Sequence, residues 1–158
     1  MPVNRALENT KAKFVAFLGR KKLRVTAQRA AIIDAAFSTD KHFTAEELLD
    51  WSRDRDKSVS RATIYRTLPL LTESGLVREM DFGKDRKIYD PNYAEHPNHN
   101  HIICVDCEKI LEFDSDKIAR LQDEIAHEMG FRIKSQRLQI TAACETLRRQ
   151  GSCKNKRK

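Results

Sequence analysis

No run of apolar residues in this chain approaches the length of a membrane span, so no transmembrane helix is expected. The opening stretch, M-P-V-N-R-A-L-E-N-T, lacks the apolar core of a signal peptide, which points to a cytoplasmic protein without membrane attachment. There is no internal repeat, and with only 5 Gly and 4 Pro in 158 residues there is no low-complexity linker. Neither H-E-x-x-H nor the H-x-E…C-x-x-C deaminase pattern occurs, so the commonest zinc-hydrolase signatures are missing and the chain does not read as an enzyme. Cysteine is scarce as well, at 4 residues, and in a reducing compartment so few thiols favour metal binding over disulfides.

What the chain does have is charge. Charged residues make up 34% of it and apolar ones 40%, the balance of a soluble globular protein, and the net charge is +7. That charge is uneven. Residues 1–90 hold 18 Lys or Arg against 13 Asp or Glu, net +5; residues 91–147 hold 6 against 10, net −4; residues 148–158 hold 6 and no acid, net +6. A basic front half on an acidic body suggests a polyanionic partner for the front half. The K-N-K-R-K ending reads as a solvated basic tag.

The front half, residues 1–90, reads as four helices and a hairpin. A first helix over 5–18 carries Leu7, Phe14, Val15 and Leu18, with Gly19 as its stop. Thr26 caps a second, with Ala30, Ile33 and Phe37 at helical spacing. T-A-E-E from Thr44 to Glu47 is a capping box opening a third, whose apolar side is Leu48, Leu49 and Trp51. Ser60 opens the fourth, in which Ile64, Leu68 and Leu71 form the core stripe, Pro69 can bend the helix and Gly75 ends it. Two strands follow, over 76–82 and 86–89, joined by a G-K-D-R turn. This is the outline of a winged helix-turn-helix, in which the fourth helix enters the DNA major groove. Arg61, Thr63, Tyr65 and Arg66 lie off its apolar stripe and are expected to be free to reach DNA.

The back half, residues 91–158, reads as a small α/β unit, giving an α+β fold overall. Strands are expected around Ile102 and Ile103 and over 109–113. A helix from Asp114 and Ser115 has Ile118, Leu121, Ile125 and Met129 on one face, and Gly130 ends it. A strand-like run covers 131–142, its parity shifting so that a bulge or an end lies within it. A unit this small buries little core by itself, so an exposed apolar face would favour a homodimer, which also suits a two-fold DNA site.

The densest chemistry is H-N-H-I-I-C-V-D-C, from His99 to Cys107. Side chains alternate faces along a strand, so His99 and His101 share one face and Cys104 takes the other. Two metal sites built back to back follow from that parity. Cys104 and Cys107 supply half of a tetrahedral zinc site, for which only Cys144 and Cys153 can supply the rest. Cys153 reads either as the fourth ligand or as an exposed thiol. His99 and His101, with Glu112 from the next strand, make a nitrogen and oxygen set suited to iron(II), manganese, zinc or cobalt at moderate affinity. His42 reads as a surface histidine from the residues alone; drawn into that set, it would couple metal occupancy to the orientation of the two halves.

These residues resemble the ferric uptake regulator family. The likeness rests on H-N-H-I-I-C-V-D-C-E-K-I-L-E-F, R-V-T-A-Q-R, K-H-F-T-A-E-E-L, S-R-A-T-I-Y-R-T-L and G-L-V-R, and spans roughly 22–144. It implies a homodimeric, metal-activated transcription factor, usually a repressor, with an N-terminal winged helix and a C-terminal dimerisation domain. Its regulatory site falls on His42, Asp90, His99, His101 and Glu112, with His96 able to replace Asp90. Its structural zinc falls on Cys104, Cys107, Cys144 and Cys153, and its DNA contacts on Arg24, Tyr65 and Arg66. Two departures stand out: Glu108 occupies the place of a glycine that often follows the knuckle, and the last two cysteines are farther apart than is usual. A third metal site found in some members would fall on Asn98, Asn100, Ala119 and Gln136, a poor hard-cation set.

The expectation is therefore an iron(II)-responsive repressor of metal-uptake genes that binds a palindromic operator in double-stranded DNA. Zinc-, manganese- and peroxide-responsive members are the alternatives. Peroxide-sensing relatives tend to carry aspartate where this chain has Glu112, which argues against that branch. In a different class, a zinc-stabilised protein-interaction module would leave the basic face incidental.

Overall fold

The computed structural model describes residues 3–81, 87–92 and 99–153, with side chains from residue 8 onward. The expected G-K-D-R turn, His96, Asn98 and the K-N-K-R-K tail lie outside the described residues, as does the side chain of Leu7. The fold is α+β, in two compact units, Met1–Glu95 and His96–Lys158.

The first unit opens with α1 (Val3–Arg20), α2 (Ala27–Ala36), α3 (Ala45–Arg53) and α4 (Arg61–Glu73), followed by β1 (Arg78–Asp81) and β2 (Lys87–Asp90). The N-terminal signals act as expected. Thr26 Oγ1 accepts the Arg29 N–H, Ser60 Oγ accepts the Thr63 N–H, and Thr44 and Glu47 complete a reciprocal capping box. The apolar stripes converge on one core, with Phe14, Leu18, Ile32, Leu48, Ile64 and Leu71 fully buried. α4 runs through Pro69, whose ring lies on the exposed side. Gly75 ends α4's final turn with φ +72°.

The end of α1 departs from expectation. The helix continues through Gly19, and the left-handed residue is Lys22, at φ +58°. The Leu23 N–H reaches back to the Leu18 carbonyl at 2.9 Å and the Lys22 N–H to Gly19 at 2.9 Å, so the chain turns three residues later than glycine placement implies.

β1 and β2 pair antiparallel as the wing, with Arg78 opposite Asp90. Phe43 adds a bridge to Tyr89, exchanging hydrogen bonds of 3.0 and 2.8 Å. The unit extends past Asp90 because the Asn92 amide donates to the Asp40 carbonyl at 2.6 Å, tying that segment back to the α2–α3 connection.

The second unit is a three-stranded sheet in the order β4-β3-β5, with β3 (Asn100–Cys104) central, β4 (Ile110–Phe113) antiparallel to it and β5 (Gln139–Ala142) parallel. α5 (Asp116–Glu128) is capped by Ser115 and ends near Gly130, at φ +84°. The expected strand over 131–142 shrinks to its last four residues. Phe131 is 71% exposed, and the parallel ladder starts only where the His101 N–H meets the Leu138 carbonyl at 3.0 Å. A short helix that the sequence reading missed, α6 (Glu145–Gln150), follows β5 and stops at Gly151, at φ +67°.

Candidate metal centres and DNA-reading face

The central position of β3 makes the second unit's chemistry possible. Alternation along the strand puts His99 and His101 on one face, with ring centroids 4.6 Å apart, and both are buried. The antiparallel register sets His101 opposite Glu112. Glu112 Oε1 lies 3.9 Å from His99 Nε2, and the donor atoms of His99, His101 and Glu112 all fall within 4.8 Å of one another. Two donors bound about 2.0–2.1 Å from one ion are separated by roughly 3–4 Å, so this set fits a cation after small side-chain adjustments.

The first unit holds a second pair of donors. The Phe43–Tyr89 bridge is antiparallel, so it sets the preceding residue, His42, beside the following one, Asp90. His42 Nε2 lies 3.9 Å from Asp90 Oδ1, and Asp90 is fully buried. The same carboxylate oxygen accepts the Asn92 N–H at 2.9 Å. The pair is a carboxylate and an imidazole held largely out of solvent. His42 is therefore not the plain surface histidine that the residues alone suggest.

On the other side of β3 the sulfurs gather. The parallel ladder aligns Cys104 with Ala142, which brings the start of α6 to the Cys-x-x-Cys turn. Cys104, Cys107 and Cys144 place their sulfurs within 4.8 Å of one another. Cys144 Sγ donates to Cys153 Sγ at 3.7 Å. That spacing is far beyond the ~2.05 Å of a disulfide. It matches the ~3.8 Å edge of a tetrahedron whose sulfurs stand about 2.3 Å from a central zinc.

The backbone is also arranged for sulfur anions. The Cys107 N–H donates to Cys104 Sγ at 3.5 Å, and the Leu147 N–H to Cys144 Sγ at 3.4 Å. Burial pushes the Cys104 thiol up, but the N–H groups of Cys107 and Asp106 outweigh it and hold the thiol below its ordinary value. Burial and the neighbouring thiols push Cys107 up to about 12. A cation bound there would have to displace the Cys107 proton, so its affinity would fall as pH falls. Glu108, in the place often taken by glycine, keeps the turn by adopting φ +59°. Asp106 escaped the sequence reading: its carboxylate accepts the Cys144 N–H at 2.7 Å.

α4 presents its polar side outward. Tyr65 is 53% exposed, and Arg61 and Arg66 are exposed too. Arg61 is not free as expected: its guanidinium pairs with Glu46 of α3 at 2.6 Å, an exposed ion pair that must open before Arg61 can reach DNA. Thr63 differs from expectation. Its hydroxyl donates to Gln28 Oε1 of α2 at 2.8 Å, so it locks the two helices together instead of reaching outward. Arg24 is exposed in the α1–α2 connection, where its carbonyl accepts the Arg29 guanidinium at 2.5 Å.

A profile of the ferric uptake regulator family matches residues 20–141. The ferric uptake regulation protein of Campylobacter jejuni is 35% identical over 147 residues, covering 92% of this chain and 88% of that protein. That of Synechococcus elongatus is 34% identical over 142 residues, covering 89% and 96%. Among solved structures, the Helicobacter pylori ferric uptake regulator, described as having three functional metal-binding sites, superposes with a TM-score of 0.81 at 25% identity, covering 92% of this chain and 96% of that one. The chain belongs to the ferric uptake regulator family of metal-responsive, DNA-binding transcription regulators.

Proposed function

We propose that the protein is an iron(II)-responsive repressor that binds a palindromic operator as a homodimer in the cytoplasm and controls metal-uptake genes. The observation that carries this reading is the division of labour across β3, with imidazole and carboxylate donors on one face and four sulfurs on the other. Cys104, Cys107, Cys144 and Cys153 hold a structural zinc. A four-sulfur shell leaves no open coordination position, which is the character of a structural site. By the family resemblance, the regulatory ion's ligand set falls on His42, Asp90, His99, His101 and Glu112. Ligands of nitrogen and oxygen without sulfur bind iron(II) or manganese(II) with moderate affinity, so occupancy follows supply.

When bound, a divalent cation supplies the positive charge that lets two carboxylates and three neutral imidazoles share one centre. The protein's own residues do the rest. A ligand set drawn from both units makes their mutual orientation depend on occupancy, and that orientation governs where two recognition helices fall on a two-fold DNA site. Arg61, Tyr65 and Arg66 then reach bases and phosphates from α4, and Arg24 reaches the backbone from its loop. The names of the curated relatives favour iron as the physiological metal.

The test is fluorescence anisotropy under anaerobic conditions, with iron(II) or manganese(II) added to protein and either a palindromic iron-box-like duplex or a scrambled one. Specific binding is expected only with added metal, and His101→Ala is expected to lose it. Equal binding to both duplexes, or binding indifferent to metal, would remove the sensor assignment.

A further inference from the structure

We propose that Asp106 is the positioning residue of the four-sulfur site, holding Cys144 against the Cys104–Cys107 knuckle. The inference rests on the reading of those cysteines as a metal site and adds the residue that assembles it. Asp106 lies inside the knuckle turn, yet its carboxylate oxygen accepts the N–H of Cys144, 38 residues away in sequence, at 2.7 Å. The β3–β5 ladder fixes the register only as far as Ala142, with the Val105 N–H on its carbonyl at 2.9 Å. The Asp106 bond carries that register on to Cys144.

Charge and position pull in opposite directions here. A carboxylate beside sulfur anions disfavours them by simple repulsion. Arg148, whose Nε lies 3.5 Å from the same carboxylate oxygen, offsets part of that repulsion. If Asp106 acted mainly through charge, neutralising it would tighten the site. If it acts by placing the Cys144 backbone, any side chain that keeps an oxygen acceptor there should serve. Asp106→Asn keeps the acceptor and removes the charge, whereas Asp106→Ala removes both.

The experiment uses full-length, zinc-loaded protein and a competing chelator. Zinc release from Asp106→Ala is expected to be about 10–100-fold faster than from wild type, the range typical of lost outer-shell hydrogen bonds. Asp106→Asn is expected to stay close to wild type. In a second arm the zinc is stripped under reducing conditions, and alkylation of each thiol by iodoacetamide is followed by mass spectrometry. Cys144 should then react faster relative to Cys104 in Asp106→Ala, and unchanged in Asp106→Asn. If Asp106→Ala does not fold, Asp106→Ser, too short to span the contact, replaces it. Wild-type release from the alanine variant, or an asparagine variant as fast as alanine, would overturn the proposal. Wild-type protein that holds no zinc would sink the four-sulfur reading instead, and the alkylation ratio would still decide the role of Asp106.

Discussion

At Lys22 the backbone takes φ +58°, a conformation that an ordinary side chain adopts at a steric disadvantage. Gly19, three residues earlier, lies inside α1, and apart from the helix's own nearby backbone nothing stands within 4 Å of where a Cβ would go. Two expectations follow. Gly19→Ala should raise the stability of the first unit by up to about 1 kcal/mol, the usual gain in a helix interior. Lys22→Gly should also stabilise, by about 0.5–1 kcal/mol, by relieving the left-handed backbone. Thermal unfolding measures both, and a lower Tm for Gly19→Ala would restore that glycine as the helix stop. Cap residues were legible in the sequence because each acts on a neighbour three positions away, as at Thr44 and Glu47. The α1 stop was misread because glycine permits a left-handed turn without requiring one. Thr63 and Asp106 were illegible for a different reason: their partners, Gln28 and Cys144, are 35 and 38 residues distant in sequence.

At the scale of elements, α5 stands out. It has no fully buried residue, and Leu121, Ile125 and Met129 are 55%, 47% and 69% exposed in a row spaced four apart. A stripe of large apolar side chains left in water on an otherwise polar helix calls for a cover, and a second copy of the chain meets that need in the proposed homodimer. Ile125→Glu is therefore expected to shift sedimentation from dimer to monomer and, with it, to weaken binding to a two-fold operator by at least tenfold, since 1.4 kcal/mol of lost contact already does so. A variant that stays dimeric would assign the interface elsewhere. The helix itself was readable from its period and from Ser115 and Gly130 at its ends. The length of β5 was not. The parity shift between Ile133 and Leu138 marked a break within 131–142, but which side of it pairs depends on where β3 offers a free ladder position, and that begins opposite His101. α6 is too short for its period to register in sequence, and it is set by the Cys144 cap and Gly151.

For the whole molecule, the uneven charge and the two-unit organisation belong together. The basic first 90 residues carry the winged helix with its exposed arginines, and the acidic stretch that follows carries both donor faces of β3. The strand parity of H-N-H-I-I-C already implied two separate sites, because a histidine and a cysteine an odd number of residues apart cannot share a face of one strand. The completing residues, Glu112 on one face and Cys144 with Cys153 on the other, were legible from the next strand and from the scarcity of cysteine; what parity could not supply was the register that brings them in. An independent regulatory site requires that separation. X-ray absorption at the zinc and iron edges, on one anaerobic preparation loaded with both ions, measures it directly. Zinc is expected in a shell of sulfur alone at about 2.3 Å and iron in a shell of nitrogen and oxygen alone. A mixed shell of sulfur and nitrogen around zinc would contradict it, since the knuckle cysteines and the histidines would then share one ion and no independent regulatory site would remain.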